Sequence, residues 1–242
     1  MNKFGKFIVL FFIATLLCSC APTGEQIIQQ LRDKNSAESL ELAQFTTYYY
    51  LHPQNEQLIP SLQKTLKFGI HGFGAKILVH FYAAAINNSN NKDQLLQKLN
   101  LLKQQYSKEQ QQTIEDIIDQ TTNFHSPLPS SSDNFDFLWT EFFATGNELP
   151  VKEIASYLKM NTYKRKIEVI QLAAAEWSLA ANANQHKRVY AILKRLYISS
   201  QGIMKKRLKR ILDDPSSIAV RFSAWGELRN VKDFNTFKNI VW

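Results

Sequence analysis

The side chains able to do chemistry are few and widely spaced. The chain has two cysteines, Cys18 and Cys20, and five histidines, His52, His71, His80, His125 and His186. A thiolate is a nucleophile and a metal ligand. No two histidines stand at i, i+4, and none lies in an HExxH or HxH arrangement, so metal-ligand spacing is absent. Each is expected to form a local hydrogen bond or to end a helix; His186, beside Lys187 and Arg188, is the exception to weigh. Gly69-Ile-His-Gly72-Phe-Gly74-Ala-Lys76 has a phosphate-loop look but lacks the GxxxxGK(S/T) spacing and a preceding strand. Glycines ending one helix and starting the next explain it. No Gly-x-Ser-x-Gly elbow is present. Glu115, Asp116 and Asp119 lie in a Gln-rich helical setting that reads as solvated. A pocket gathering two or more of Glu141, Glu176, His186 and His80 is the arrangement that would make an enzyme or small-ligand site of these groups.

The cations are more concentrated. Lys187, Arg188, Lys194, Arg195, Lys205, Lys206, Arg207, Lys209 and Arg210 fall in one short segment. At about 100° per residue, Lys205, Lys206, Arg207, Lys209 and Arg210 spread over about 200° of a helix, opposite Met204, Leu208, Ile211 and Leu212. The ordinary reading is a solubilising surface. The chemical one is contact with something anionic through Lys194, Arg195, Lys205, Lys206, Lys209 and Arg210: phospholipid headgroups, wall-polymer carboxylates or an acidic partner.

Both cysteines close the N-terminal segment. Lys3 and Lys6 precede an apolar run, Phe7 to Leu17, which small residues follow. That is the form of a secretory signal, and the run is short of the ~18–20 residues that span a bilayer. Leu17-Cys18-Ser19-Cys20 resembles the bacterial lipobox, with Leu three residues before the Cys and a small residue next to it. The resemblance implies cleavage after residue 19 and a thioether-linked diacylglyceryl group on Cys20. Two or more acyl chains anchor stably where one does not. Ala21, rather than Asp, implies the outer membrane facing the periplasm under the Gram-negative sorting rule. Loss of residues 1–19 removes two lysines and no acid from a chain of net charge +8. Cys20, acylated, is then the remaining cysteine, which leaves no internal disulfide and no thiolate for catalysis or zinc. Apart from that covalent lipid, no cofactor is expected.

The elements that must position these groups read as helices. Glycine is sparse, at 8 residues, while Ala, Leu, Gln and Lys are abundant. Strand alternation with Asn-Gly or Asp-Gly turns is missing. The expected class is all-α: an irregular array of antiparallel helical hairpins, solenoid-like in the manner of tetratricopeptide or HEAT arrays, with no sheet and no fixed period. A signal peptide (1–19) and lipidated tether (20–35) lead into an N-terminal helical half (36–123). A Pro/Ser linker (124–133) separates it from a C-terminal half (134–242). Helices are expected at 36–51, 56–68, 73–86, 92–106 and 108–121, with Leu95, Leu99 and Leu102, then Ile114, Ile117 and Ile118, as buried stripes. Phe135, Leu138, Trp139 and Phe142 share a face, Gly146 caps that helix, and Pro150 starts the next, with Val151, Ile154, Ala155 and Leu158 inward. The helix 163–184 is two-faced: Ile167, Ile170, Ala174, Trp177 and Ala181 form a large stripe, and Ala173 and Ala180 a small one. Helices at 187–199 and 203–212 follow, then one opened by Asp214-Pro215 and running to about Arg229, and a short one from Asp233.

Asp136-Phe-Leu-Trp-Thr-Glu-Phe-Phe-Ala-Thr-Gly146 with Val151, Ile154 and Leu158, and Ala175-Glu-Trp-Ser-Leu-Ala-Ala-Asn-Ala-Asn-Gln-His186 with Val189, resemble a family of bacterial all-helical, helical-repeat-like proteins. Tyr49-Tyr50-Leu51-His52-Pro53 is a third such stretch. The resemblance implies a helical fold and lends no catalytic residue.

Three functions follow as expectations. The first is a lipid-anchored periplasmic scaffold or adaptor that binds a protein partner as an accessory part of an envelope complex such as a secretion system. Its motivation includes Tyr48, Tyr49, Tyr50, Phe142, Phe143 and Trp225, since aromatic residues are enriched at interfaces, although most of these are expected in the core. The second is an enzyme or ligand-binding protein with a pocket between helices. The third is a membrane-surface or cell-wall tether using the basic segment 187–210. An exported location excludes nucleic acid as a partner.

Overall fold

The structure, a computed structural model, describes residues 36–67, 69, 72–125, 134–161 and 166–216. The leader, Cys20, the tether, His71, most of the Pro/Ser run, Trp225 and the helices expected beyond Ser216 lie outside the described residues. Among the described residues there are ten α-helices and no strand. The chain divides into two compact units, Met1–Leu128 with Asp136–Asn147, and Pro129–Phe135 with Glu148–Trp242.

The first unit holds α1 (Ser36–Tyr48), two 3-10 turns (Tyr49–Leu51 and Asn55–Gln57), α2 (Leu58–Lys67), α3 (Gly72–Asn87), α4 (Lys92–Lys103), α5 (Lys108–Thr122) and most of α6 (Asn134–Thr145). α3 is apolar nearly all round, and Ile77, Val79, Phe81, Tyr82 and Ala83 to Ile86 are all buried. Such a helix must be central, and it packs chiefly on α5 rather than on its chain neighbours α2 and α4. The packing is therefore irregular. α4 and α5 leave Gln94, Gln97 and Gln112 exposed and bury Leu95, Leu99, Leu102, Ile114 and Ile117, each contributing about 1.5–3 kcal/mol. Ser107 opens α5 with a capping box shared with Gln110. Gln110 Nε2 also donates to the Leu66 carbonyl at the end of α2, 3.0 Å away.

Most of the buried polar groups of this unit are hydroxyls; His80 and Glu141 are the ionisable exceptions. Tyr82 Oη lies 3.0 Å from Thr65 Oγ1 and donates to Ser61 Oγ at 3.2 Å. Around them Phe45, Tyr49, Phe81 and Tyr82 meet edge to face, with centroids 5.3–6.2 Å apart.

α6 follows the Pro/Ser segment in the chain, and from Asp136 onward it sorts with the first unit. Its rings explain this: Phe142 lies 4.8 Å from Tyr50, and Phe137 meets His80 edge-on at 5.4 Å. Gly146 ends α6 at φ +68°, a left-handed conformation that suits glycine, and its N–H returns to the Phe142 carbonyl at 2.7 Å.

The second unit holds α7 (Leu149–Ser156), which tightens into a 3-10 turn (Tyr157–Lys159), then α8 (Lys166–Gln185), α9 (Lys187–Ser199) and α10 (Gly202–Asp213). α8 packs on α7, α9 and α10. It is two-faced, as expected, and the small stripe is the more deeply buried, with Ala181 the buried member of the large one. Ile167 is exposed, and Ile170, Ala174 and Trp177 are half-buried, while Val169, Leu172, Ala173, Glu176, Ala180 and Ala183 are buried. The inward face is largely alanine, which lets three neighbouring helices come close. Hydrophobic period locates a stripe; it does not say which stripe meets a neighbour when both are apolar.

Candidate functional site

The cationic segment folds as a helical hairpin. α9 and α10 are joined by Ser200 and Gln201 and pack on one another. Val189, Ile192 and Leu193 of α9, with Met204, Leu208 and Ile211 of α10, are its buried side. On α9, Lys187, Ala191, Lys194 and Ile198 follow at i, i+4, i+7 and i+11, one stripe on the outer face. Ile198 is 68% exposed in the line of that stripe, and Tyr190 is 38% exposed at its edge.

The hairpin treats its cations differently. Arg195 donates to Glu148 Oε1 at 2.5 Å, and Lys152 approaches the other oxygen at 3.3 Å. The Arg195 hydrogen bond holds the Glu148 carboxyl below its ordinary range, with Lys152 adding to it. Lys209 pairs with Asp213 at 2.5 Å. Arg210 reaches Glu176 Oε2 at 2.5 Å. Lys205 Nζ stands 5.2 Å from the Tyr197 ring centroid, a cation–π contact. Lys187, Arg188, Lys194 and Lys206 are exposed and make no ion pair among the described residues.

Arg207, read as part of the outer basic arc, is buried. Its Nε lies 3.2 Å from Glu176 Oε1. Its Nη1 donates to the Leu158 carbonyl at 2.9 Å and to the Met160 carbonyl. These carbonyls belong to the 3-10 turn after α7 and the residue beyond it, where the last acceptors of a helix have no partner of their own. Arg207 thus closes that end and carries its charge to Glu176. The correction has a geometric reason: Arg207 sits at the margin of the Met204, Leu208 and Ile211 stripe, within reach of α8. The charge alone suggested solvent; the position at the margin was the signal.

Glu176, a candidate acid, is therefore a carboxylate held by two guanidinium groups. His186 follows the last residue of α8, about 15 Å further along the axis at 1.5 Å per residue, so the two do not share a centre. His186 is the N-cap residue of α9 and is buried, which pushes its imidazole down to about 4. In the first unit, His80 stacks on Phe124 at 5.5 Å, and burial lowers it to about 4, with a Gln120 hydrogen bond partly opposing. Its Nε2 has no hydrogen-bond partner among the described residues. Glu141 is buried on α6.

The remaining candidates are quickly placed. His52 and His125 are exposed. Glu115 pairs with Lys103 at 3.0 Å, and Asp116 and Asp119 accept from Gln112 and Asn123 on their own helix or its cap. Gly72 begins α3, as expected for glycines that end one helix and start another. Tyr49, Tyr50, Phe142 and Phe143 are core residues. Among the described residues, no three His, Cys, Asp or Glu side chains gather to hold a metal ion, and no helix is long and apolar enough to cross a membrane. Sequence reasoning missed Glu148 as the acid under Arg195, and Ile198 and Ile203 as exposed apolar groups. Ile198 could have been found, because it follows Lys194 by one turn on the polar face. No protein-family model matches the chain, and neither a curated protein nor a solved structure matches it.

Proposed function

We propose that this chain is a lipid-anchored adaptor at the outer membrane, facing the periplasm, whose helical hairpins bind a protein partner as an accessory part of an envelope complex such as a secretion system. In this reading the irregular array works as a solenoid-like scaffold of the tetratricopeptide or HEAT kind, presenting surfaces rather than a cleft. The lipobox resemblance at Leu17 to Cys20 supports the anchor. One structural observation carries the choice of binding over catalysis. Glu176 is engaged by Arg207 and Arg210, and His80 and His186 are buried and neutral, whereas Lys187, Arg188, Lys194 and Lys206 are exposed, as are Tyr190 and Ile198 on the same hairpin. Charged and aromatic groups left in solvent are available for recognition.

The test is photo-crosslinking in intact cells from positions Leu101 and Tyr190, an exposed apolar residue in each unit, with palmitate labelling of the wild-type and Cys20→Ser chains. The expected result is one reproducible protein adduct and a lipid label that Cys20→Ser abolishes. A chain that labels equally without Cys20, or that yields no adduct from either position, overturns the proposal.

A further inference from the structure

We propose that the turn end of the α9–α10 hairpin is a docking surface for an anionic phospholipid bilayer, with Ile198 and Ile203 entering the headgroup layer and Lys194, Lys205 and Lys206 meeting its phosphates. This goes beyond the adaptor reading and does not depend on Cys20.

The argument begins with composition in place. No aspartate or glutamate occurs between Glu176 and Asp213. Asp213 lies at the far end of α10 from the turn, so the hairpin's own residues at the turn end include cations and no acid. Arg195 is met by Glu148, but Lys194, Lys205 and Lys206 have no ion pair among the described residues. Two isoleucines flank the same turn: Ile198, the penultimate residue of α9, is 68% exposed, and Ile203, the second residue of α10, is 38% exposed. Ser200 and Gln201 between them carry no charge. Two exposed isoleucines beside the turn, each on a helix that also carries unpaired lysines, fit neither a purely solubilising surface nor a core.

Spacing then selects a bilayer over an acidic protein. Lys194 stands about 6 Å behind Ile198 along α9, and Lys206 about 4.5 Å behind Ile203 along α10. Interfacial helices bury their apolar residues about 5–10 Å into the headgroup boundary, so lysines set back by that distance reach the phosphate level. A hairpin end is convex and suits a deformable layer. Gly202, at φ +59° with nothing within 4 Å of a Cβ built on it, turns the chain between the helices and keeps the end narrow. Each uncompensated lysine near an anionic surface strengthens partition about fivefold.

The test reads the turn itself. Backbone N–H groups near it are weakly held: Ser200 reaches Tyr197 at 3.4 Å and Lys205 reaches Gln201 at 3.5 Å. Hydrogen exchange of the full chain is followed in buffer, with phosphatidylcholine vesicles, and with mixed phosphatidylcholine–phosphatidylglycerol vesicles. Exchange at residues 198–206 should slow at least threefold with the anionic vesicles alone, and raised salt should reverse it. Ile198→Ser with Ile203→Ser should abolish the slowing, as should Lys194→Glu with Lys206→Glu. Leu101→Ser, an exposed position in the other unit, should not. The same protection is expected in the Cys20→Ser chain, which separates this result from the fate of the anchor. Unchanged exchange with anionic vesicles, equal protection by neutral ones, or protection that requires Cys20 overturns the proposal. Unchanged circular dichroism of the variants excludes unfolding as the cause.

Discussion

The two units solve the same problem, a polar group inside an all-helical core, by different chemistry. In the first, Tyr82, Ser61 and Thr65 share neutral hydroxyl hydrogen bonds, and burial pushes the Tyr82 phenol up to about 12. Each serine and threonine there also returns its proton to a carbonyl of its own helix, Ser61 to Leu58 and Thr65 to Ser61. In the second, Glu176 faces Arg207 and Arg210. A neutral network forgives the loss of one member, because the others can fall back on local acceptors. A buried ionic one does not, because the survivor is a charge with no counter-charge.

The largest expected effect tests that contrast. Glu176→Leu should destabilise the second unit by about 3–5 kcal/mol, since Arg207 keeps its charge in the interior. Adding Arg207→Met should cost less than the sum of the two single changes, by at least about 1 kcal/mol. Chemical denaturation, with hydrogen exchange to assign the unit, measures both. Equal additive losses would mean that the pair is not coupled.

Acid should cut across the contrast. His80 belongs to the first unit and His186 to the second, and both are lowered to about 4. The unfolded chain takes up these protons first, so stability is full above about pH 6.5, falls between about 6.5 and 4, and is level for these groups below that. The loss is up to about 3 kcal/mol for each histidine. His80→Phe and His186→Phe should flatten the profile of their own unit and leave the other sloped. A profile unchanged by either substitution would remove the histidines as the cause.

The smallest expected effect is on the neutral side. Tyr82→Phe should cost about 0.5–1.5 kcal/mol, because Ser61 and Thr65 keep their carbonyl partners. A loss as large as that of Glu176→Leu would erase the distinction between the units.

Helices were the legible part of the sequence. The stripes Leu95, Leu99 and Leu102 and Val151, Ile154 and Leu158 lie inside as spacing predicts, because one apolar face has one place to go. Gly146 ends its helix as glycine chemistry requires. The two stripes of α8 were legible, but not which is the more buried, because both are apolar and the choice lies with α7, α9 and α10. That α6, which follows the proline-rich segment, meets Tyr50 and His80 was not legible, because those rings are far away in sequence. The cationic segment was visible as composition. Which cations are neutralised was not, because Glu148 and Glu176 come from other helices.

The Arg207 clasp has a consequence in time. Its acceptors, the carbonyls of Leu158 and Met160, precede it by 49 and 47 residues. A chain made from its N-terminus therefore exposes both carbonyls, and Glu176 without either arginine, for as long as synthesis takes to reach α10. Until that helix emerges, α7, α8 and α9 are a waiting assembly whose last joint is missing. Truncation ahead of residue 207 should leave them in that state, and release of α10 is the event that supplies the joint.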